Sequence, residues 1–248
     1  MGNWIERVAE PRRLFLAWQA PDHMGDRFRW AVGLLEFDGV ECVLRYLRGG
    51  PEFVGLNQGR TYDELLALDY QGYPAFNLRR EVHSQGVLVA LMRRLPPRTR
   101  PDFQEYKRHF RLCADLDVSD FALLGQTEAK LPSDGFSIVD PLDAETDWCD
   151  LMLEIAGFRY YVPEGPLEIG HHVEFEAEPG NQWDPNAVQV CAGGRRIGYI
   201  NRLQAVTFLK WLSSRRVAGV IERMNGNPER PRAFIFVRVR PTQARVAA

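Results

Sequence analysis

Phe158-Arg159-Tyr160-Tyr161, then Glu178-Pro179-Gly180-Asn181-Gln182-Trp183-Asp184-Pro185-Asn186-Ala187-Val188, then Ile197-Gly198-Tyr199-Ile200, are three blocks of one stretch, and their reading decides the fold of the chain. The first sets a cation beside paired aromatics. The second is an Asn/Trp/Asp/Asn turn cluster, and the third reads as a Gly-Tyr strand. Aromatic faces, a guanidinium and polar turn groups on a β scaffold are what a single-stranded nucleic acid requires, because bases stack on rings and phosphates pair with cations.

Working outward, the flanks read as a small β domain. Leu151–Ile155 is a strand, Val173–Ala177 alternates cleanly, and Ala187–Val190 follows. Gly193-Gly194 turns the chain into Arg196–Ile200. Asn201 to Trp211 reads as a helix with Leu203, Val206, Phe208, Leu209 and Leu212 on its apolar sides. Gly219–Glu222 and Ala233–Val239 are the last strands, with residues 224–232 as a polar loop and a frayed tail after Pro241. Tyr160 and Tyr161 alternate along a strand in this reading, so Tyr161 faces the core.

The three blocks, in this order and spacing, resemble the HIRAN domain, a small β-barrel module carried by some fork-remodelling helicases and found alone in bacteria. The resemblance implies a pocket that captures the free 3′ end of a single strand. Arg159 would contact phosphate and Tyr160 would stack a base. Trp183 would stack on the terminal base, Asp184 would accept a hydrogen bond from the terminal 3′-hydroxyl, and Asn181 would hold that turn. Tyr199, Arg202 and Phe234 fall at further backbone or base contacts. Tyr199 replaces the histidine of helicase-type members, and Arg202 keeps the charge of a lysine. A carboxylate tolerates a hydroxyl donor and repels a continuing phosphate, which would select ends over internal sites.

Each residue also has a purely structural reading. Asp184 and Asn186 suit a turn in which side-chain oxygens bond the backbone two residues on. Trp183 stands between polar residues, which favours stacking over core packing. Asn186-Ala187-Val188 and Gly198 read as fold-defining. Arg79-Arg80, Arg93-Arg94 and Arg215-Arg216 read as solvated helix faces or ends, and Trp18, Trp30 and Trp211 as core.

The N-terminal half has a different texture. Leu14–Trp18, Trp30–Phe37 and Cys42–Tyr46 are three strands, the last two joined through Asp38-Gly39. Gly49-Gly50-Pro51 ends that unit and residues 52–60 read as loop. Thr61 and Glu64 form a capping box, Val82–Leu95 has helical spacing, and Pro101 opens a helix through Phe110. Asp120–Leu124 is a short helix and Phe136–Val139 a closing strand. Val32-Gly33-Leu34-Leu35, Tyr73–Leu78, Leu95–Asp102 and Asp120–Leu124 follow the order seen in the small N-terminal subdomain of HipA-type toxins. That resemblance implies a scaffold or protein-contact module without the toxin's kinase core.

Composition narrows the remaining classes. Apolar residues make up 45% and charged residues 26% of the 248, ordinary values for a globular protein. No run approaches the roughly 20 apolar residues of a membrane span, and the N-terminus lacks a signal-peptide core, so a cytoplasmic protein is expected. Cys42, Cys113, Cys149 and Cys191 are too dispersed for paired zinc ligands, and His171-His172 on a strand point to opposite faces. Neither a Walker motif, GxSxG nor HExxH occurs. Residues 151–248 hold 13 basic against 9 acidic residues, whereas the remainder holds 18 against 24. A mildly basic C-terminal half fits phosphate contact.

The expectation is therefore an α+β protein of two domains. Residues 1–143 form a HipA-subdomain-like α+β module, and residues 144–248 an OB-related, SH3-like β-barrel of HIRAN type with one helix. It is expected to be a non-enzyme without cofactor or metal that binds single-stranded DNA with a free 3′ end, in repair or phage defence. The rival reading is a protein-interaction adaptor of a toxin–antitoxin-like system, with a protein partner held by the N-terminal module.

Overall fold

A computed structural model describes residues 2–131, 133–161 and 167–242. The chain divides into two compact units, and the division is not one cut after residue 143. Ala9–Phe110 and Asp117–Pro141 make one unit, and Leu142–Ala248 makes the other together with Met1–Val8 and Arg111–Leu116. The physical reason is local. Ile5 and Leu112 form a parallel bridge and are both buried, and Asn3 and Arg111 bond Glu222 of the C-terminal unit. Two short stretches of the N-terminal half thus complete the other unit.

The first unit is built on an antiparallel sheet of β1 (Arg13–Gln19), β2 (Arg29–Phe37), β3 (Cys42–Tyr46), β4 (Val82–His83) and β5 (Phe136–Val139), in the order β4-β3-β2-β1-β5. The β2–β3 turn forms as Asp38-Gly39 predicts: Asp38 Oδ1 accepts the amides of Val40 and Glu41, each at 2.8 Å. Residues 52–60 are not all loop. Pro51 sits in the first turn of α1 (Gly50–Leu56), where its missing N–H costs nothing, and Phe53 is buried against Trp30. α2 (Tyr62–Leu66) carries the predicted capping box between Thr61 and Glu64.

The segment 82–95 also departs from a single helix. Gly86 is left-handed at φ 68°, so the chain makes β4 first and α3 (Val87–Met92) only afterwards. α4 (Phe103–His109) has Asp102 as its N-cap, so Pro101 lies just before the helix it was expected to open, and α5 (Asp120–Thr127) covers the short helix expected at Asp120–Leu124. Arg94 corrects the reading of Arg93-Arg94 as solvated. Its side chain is 2% exposed and forks onto Asp134 at 2.6 and 3.0 Å, with further bonds to the carbonyls of Ala129 and Phe136.

The second unit is a six-stranded antiparallel sheet of β6 (Cys149–Glu154), β7 (His172–Ala177), β8 (Val188–Ala192), β9 (Arg195–Tyr199), β10 (Arg215–Asn227) and β11 (Arg230–Pro241), in the order β6-β11-β10-β7-β8-β9. The open edges are those of β6 and β9. They are joined just beyond β6, where Ala156 and Tyr199 exchange backbone hydrogen bonds of 2.8 and 2.9 Å. That bridge closes the sheet into a barrel. The core is filled by Val188, Val190, Ile197, Ile221, Ile235 and Val237, and α6 (Arg202–Ser214) plugs it with Phe208 and Trp211. Asn201 caps α6 by accepting the Leu203 amide; Val206, expected on its apolar side, is exposed.

Residues 224–232 correct another expectation. They are the arm of the β10–β11 hairpin, paired Asn225 to Arg232, Gly226 to Pro231 and Asn227 to Arg230. Both faces of the arm are wet, so its side chains carry no alternation that sequence could reveal. Gly226 is required there, since it holds φ 92° and a Cβ would lie 2.2 Å from the Arg230 carbonyl oxygen. Residues 243–248 of the predicted tail lie outside the described residues. The α+β class with a barrel in the C-terminal half is the architecture of the chain. Its four cysteines are free thiols, and among the described residues no helix is long and apolar enough to cross a membrane.

Candidate nucleic-acid interface

The barrel seam positions the residues of interest. Gly198 crosses directly over the closing strand: it holds φ 147°, and a Cβ would meet Ile155 at 2.4 Å and the Ala156 carbonyl oxygen at 2.6 Å. Only glycine allows the two edges to approach this closely, so Gly198 is fold-defining as expected. Immediately after the seam, Gly157 turns left-handed and the chain enters a 3₁₀ turn, Phe158–Tyr160. This corrects the strand expected there. With no alternation, the inward residue is Phe158, and Tyr161 is half-buried at the site rather than in the core.

Tyr160 is 62% exposed, with the Arg159 guanidinium 4.8 Å from its ring centre and bonded to its hydroxyl at 2.7 Å. Across the seam, Asn181 organises the second block. Its Oδ1 accepts the amides of Trp183 and Asp184 at 2.9 and 3.0 Å, while its Nδ2 donates to Glu178 at 2.6 Å. This Asx-type turn lifts Trp183 into solvent at 81% exposure. Asp184 Oδ1 accepts the Asn186 amide at 2.9 Å, so the carboxylate does have the turn role. A carboxylate offers two oxygens and about four acceptor positions, so the turn leaves capacity for a further donor.

Tyr199 ties the blocks together. Its hydroxyl donates to Glu178 at 2.9 Å and accepts from Arg196 at 2.8 Å, and Asn181 Nδ2 lies 3.4 Å away. Its ring meets Tyr161 edge-on at 5.8 Å, and the Arg196 guanidinium lies over both rings, at 4.7 Å from Tyr161 and 5.4 Å from Tyr199. Burial, then the bond to Glu178, pushes the Tyr199 phenol up. The Asn181 amide, with Tyr199 and Arg196, draws the Glu178 carboxyl below its ordinary value.

Glu178, Arg196 and Tyr161 are site residues that sequence reasoning missed. Arg196 and Tyr199 are three apart, which on a regular strand puts them on opposite faces. The pairing explains their meeting: Val190 faces Gly198 but Cys191 faces Arg196, so Ile197 is an extra residue that restores a common face. Gly193-Gly194 followed by Arg195-Arg196 was the one available signal of an irregular β8–β9 hairpin.

Of the predicted residues, Asn181, Trp183, Asp184 and Tyr199 share one bonded network, and Arg159 and Tyr160 flank it across the seam. Arg202 opens α6 three residues after Tyr199. Phe234 stands outside the network. It is 8% exposed on β11 opposite Glu154, with the guanidiniums of Arg223 and Arg232 at 4.2 and 5.1 Å from its ring centre. Among the described residues no group of three or more His, Cys, Asp or Glu side chains is placed to hold a metal ion.

The lowered Glu178 carboxyl has a testable sign. Its contribution to stability is present above the ordinary carboxylate value of 4.5 and is lost as pH falls through the lower value of the folded state. Urea midpoints of the native chain are expected to exceed those of Glu178→Gln at neutral pH, with the gap closing on acidification below about 4.5. A gap that is constant across that range would remove Glu178 from the network as a charge.

Residues 150–240 match the family model for the HIRAN domain. Similar solved structures include the crystal structure of the HIRAN domain of human HLTF, at 20% identity and TM-score 0.32 over 38% of this chain and 77% of that one. A protein from Lactobacillus plantarum shows 23% identity and TM-score 0.30 over 38% of this chain and 95% of its own. The NMR structure of the HLTF HIRAN domain in its DNA-bound conformation shows 19% identity and TM-score 0.26, covering 38% of this chain and 79% of that chain. No curated protein matches the chain.

Proposed function

We propose that the HIRAN domain at residues 150–240 binds single-stranded DNA and captures a free 3′-hydroxyl end. The observation that carries this reading is the display of two large aromatic rings on solvent-facing turns on either side of the barrel seam, Tyr160 on a backbone-bonded 3₁₀ turn and Trp183 on the turn that Asn181 holds. Exposed aromatics on turns that form without ligand are stacking surfaces presented in advance. Trp183 stacks on the terminal base and Tyr160 on a neighbour. Arg159 and Arg202 pair with phosphate. Asp184 accepts the 3′-hydroxyl with the capacity its turn leaves over, and Asn181 and Tyr199 hold the turn. Phe234, buried beneath two guanidiniums outside the end-binding network, supports contact with the strand away from its end. The HLTF HIRAN domain, of the same family model, is known in a DNA-bound conformation, which agrees with this reading.

The protein acts in this account as a cytoplasmic binding protein without catalysis, and labelled DNA should survive incubation with Mg²⁺ unchanged. The unit containing β1–β5 is assigned a protein-contact role on the order of its four HipA-like motifs, and repair or phage defence is the setting proposed. Fluorescence anisotropy with four oligonucleotides tests the central assignment: free 3′-hydroxyl, 3′-phosphate, hairpin-blocked 3′ end, and blunt duplex. Tight binding of the first alone is expected. Equal binding of all four would reduce the domain to a nonspecific basic surface.

A further inference from the structure

Strand β11 alternates with a regularity that its core role does not explain. Ala233, Ile235, Val237 and Val239 point into the barrel, whereas Arg230, Arg232, Phe234, Phe236, Arg238 and Arg240 take the opposite face. Along it Phe236 is buried and Arg238 and Arg240 are tied to Asn3 and Asp150, so the face opens to solvent toward the hairpin end, at Arg230 and Arg232. Arginines whose planes lie on a buried aromatic ring present a fixed cationic surface to an anion.

Toward the hairpin end of that face three side chains gather. Arg223 stands directly across from Phe234 in the β10–β11 pairing, and its guanidinium lies 4.2 Å from the ring centre, with that of Arg232 at 5.1 Å. The two cations therefore share one aromatic ring. Arg232 also forks onto Glu154 with two bonds of 2.7 Å, but both groups reach solvent, and such solvent-reaching pairs are weak. A phosphate can share that guanidinium at little cost. Burial, then the neighbouring charges of Arg232 and Arg111, lowers the proton affinity of Arg223, and the carboxylates of Glu154 and Glu222 offset this only in part. Cations gathered this way are relieved by an incoming anion.

The position of the cluster connects it to the site already described. The Ala233 carbonyl, next to Phe234, accepts the Ile155 amide at 2.9 Å, and Ile155 precedes the Ala156 seam and the turn that carries Arg159 and Tyr160. Phe234 is thus one residue along β11 from the backbone bond that leads into the seam.

We propose that the outer face of the β10–β11 arm, centred on Arg223 and Arg232 over Phe234, is a phosphate track that holds the body of a single strand whose end occupies the Trp183–Asp184 site. The inference rests on the proposed function and extends it from an end pocket to a continuous path. Guanidiniums suit phosphodiesters because their planar donors match phosphate oxygens in pairs, and stacking on Phe234 fixes their planes beforehand.

Anisotropy of the full chain with fluorescein-labelled oligothymidylates of three and twelve nucleotides, each with a free 3′-hydroxyl, tests it. Arg223→Gln with Arg232→Gln is expected to weaken the twelve-mer about tenfold or more and to lower its salt slope by about one for each phosphate left without a cation, leaving the three-mer unchanged. Lysine at both positions should restore the slope, which a merely misfolded variant would not. An unchanged twelve-mer, in a protein where Tyr160→Ala and Trp183→Ala weaken both lengths, would overturn the track and spare the end pocket. No binding of either length by the native chain would remove both. Displacement of the twelve-mer by polyglutamate as readily as by unlabelled DNA would assign the face to acidic protein instead.

Discussion

Replacing Tyr160 and Trp183 together by alanine is expected to abolish measurable binding of a short single strand while leaving the fold intact. Base–aromatic stacking contributes about 1–3 kcal/mol per base by alanine substitution. Each single change should therefore weaken binding roughly five- to 150-fold, and the pair about 25-fold or more. The fold should tolerate both, because neither ring contributes to the core and the turns are held by other groups. Asn181 Oδ1 holds the 183–184 amides, and the Ala156–Tyr199 bridge fixes the start of the 3₁₀ turn. Titrations by anisotropy beside urea denaturation of each variant separate the two effects. Native affinity in the double variant would dismiss these rings as the platforms; lost affinity with a lowered urea midpoint would assign them to stability instead.

The second large effect concerns the other unit. Asp134→Ala is expected to destabilise it by about 3–5 kcal/mol, because the change strands the Arg94 guanidinium, whose side chain is 2% exposed, in a site built around a charge partner. The carbonyls of Ala129 and Phe136 continue to accept from Arg94, but neither supplies a counter-charge. The Arg100–Asp102 pair is the internal control. Its shortest separation is also 2.6 Å, yet its side chains are 57% and 48% exposed, so Asp102→Ala should leave the urea midpoint unmoved. Equal midpoints for the two variants would mean that burial does not decide the strength of these pairs here.

How far the sequence reveals this molecule depends on whether a feature is written in periodicity or in register. Alternation in 173–177, the Gly193-Gly194 turn and the capping box at Thr61 each correspond to one local rule, and each appears in the structure. The aromatic and polar blocks at 158–161 and 178–188 likewise belong to the barrel, and Trp183 is as open as its polar neighbours suggested. What escaped depends on non-local geometry. The Ile197 bulge changes which face Arg196 shares, so the cation that joins Tyr161 to Tyr199 could not be assigned by counting. The closure of β6 onto β9 turns 158–160 into a 3₁₀ turn, where a strand was expected. Arg94 looks like any exposed helix-end arginine until Asp134, 40 residues on, comes back beside it. The hairpin arm at 224–232 is held by backbone pairing between polar residues, which leaves no hydrophobic signature.

The claim at the centre of this account is that Asp184 distinguishes a terminal hydroxyl from a continuing phosphate. Asp184→Asn keeps an oxygen able to accept the Asn186 amide, so the turn that displays Trp183 should persist, and only the charge is lost. The measurement is the ratio of affinities for one oligonucleotide ending in a 3′-hydroxyl and the same sequence ending in a 3′-phosphate, in the native chain and in Asp184→Asn. A strong hydroxyl preference is expected in the native protein, collapsing in the variant through a gain in phosphate-end affinity. A native ratio near unity, or a preference that survives the substitution unchanged, would contradict it.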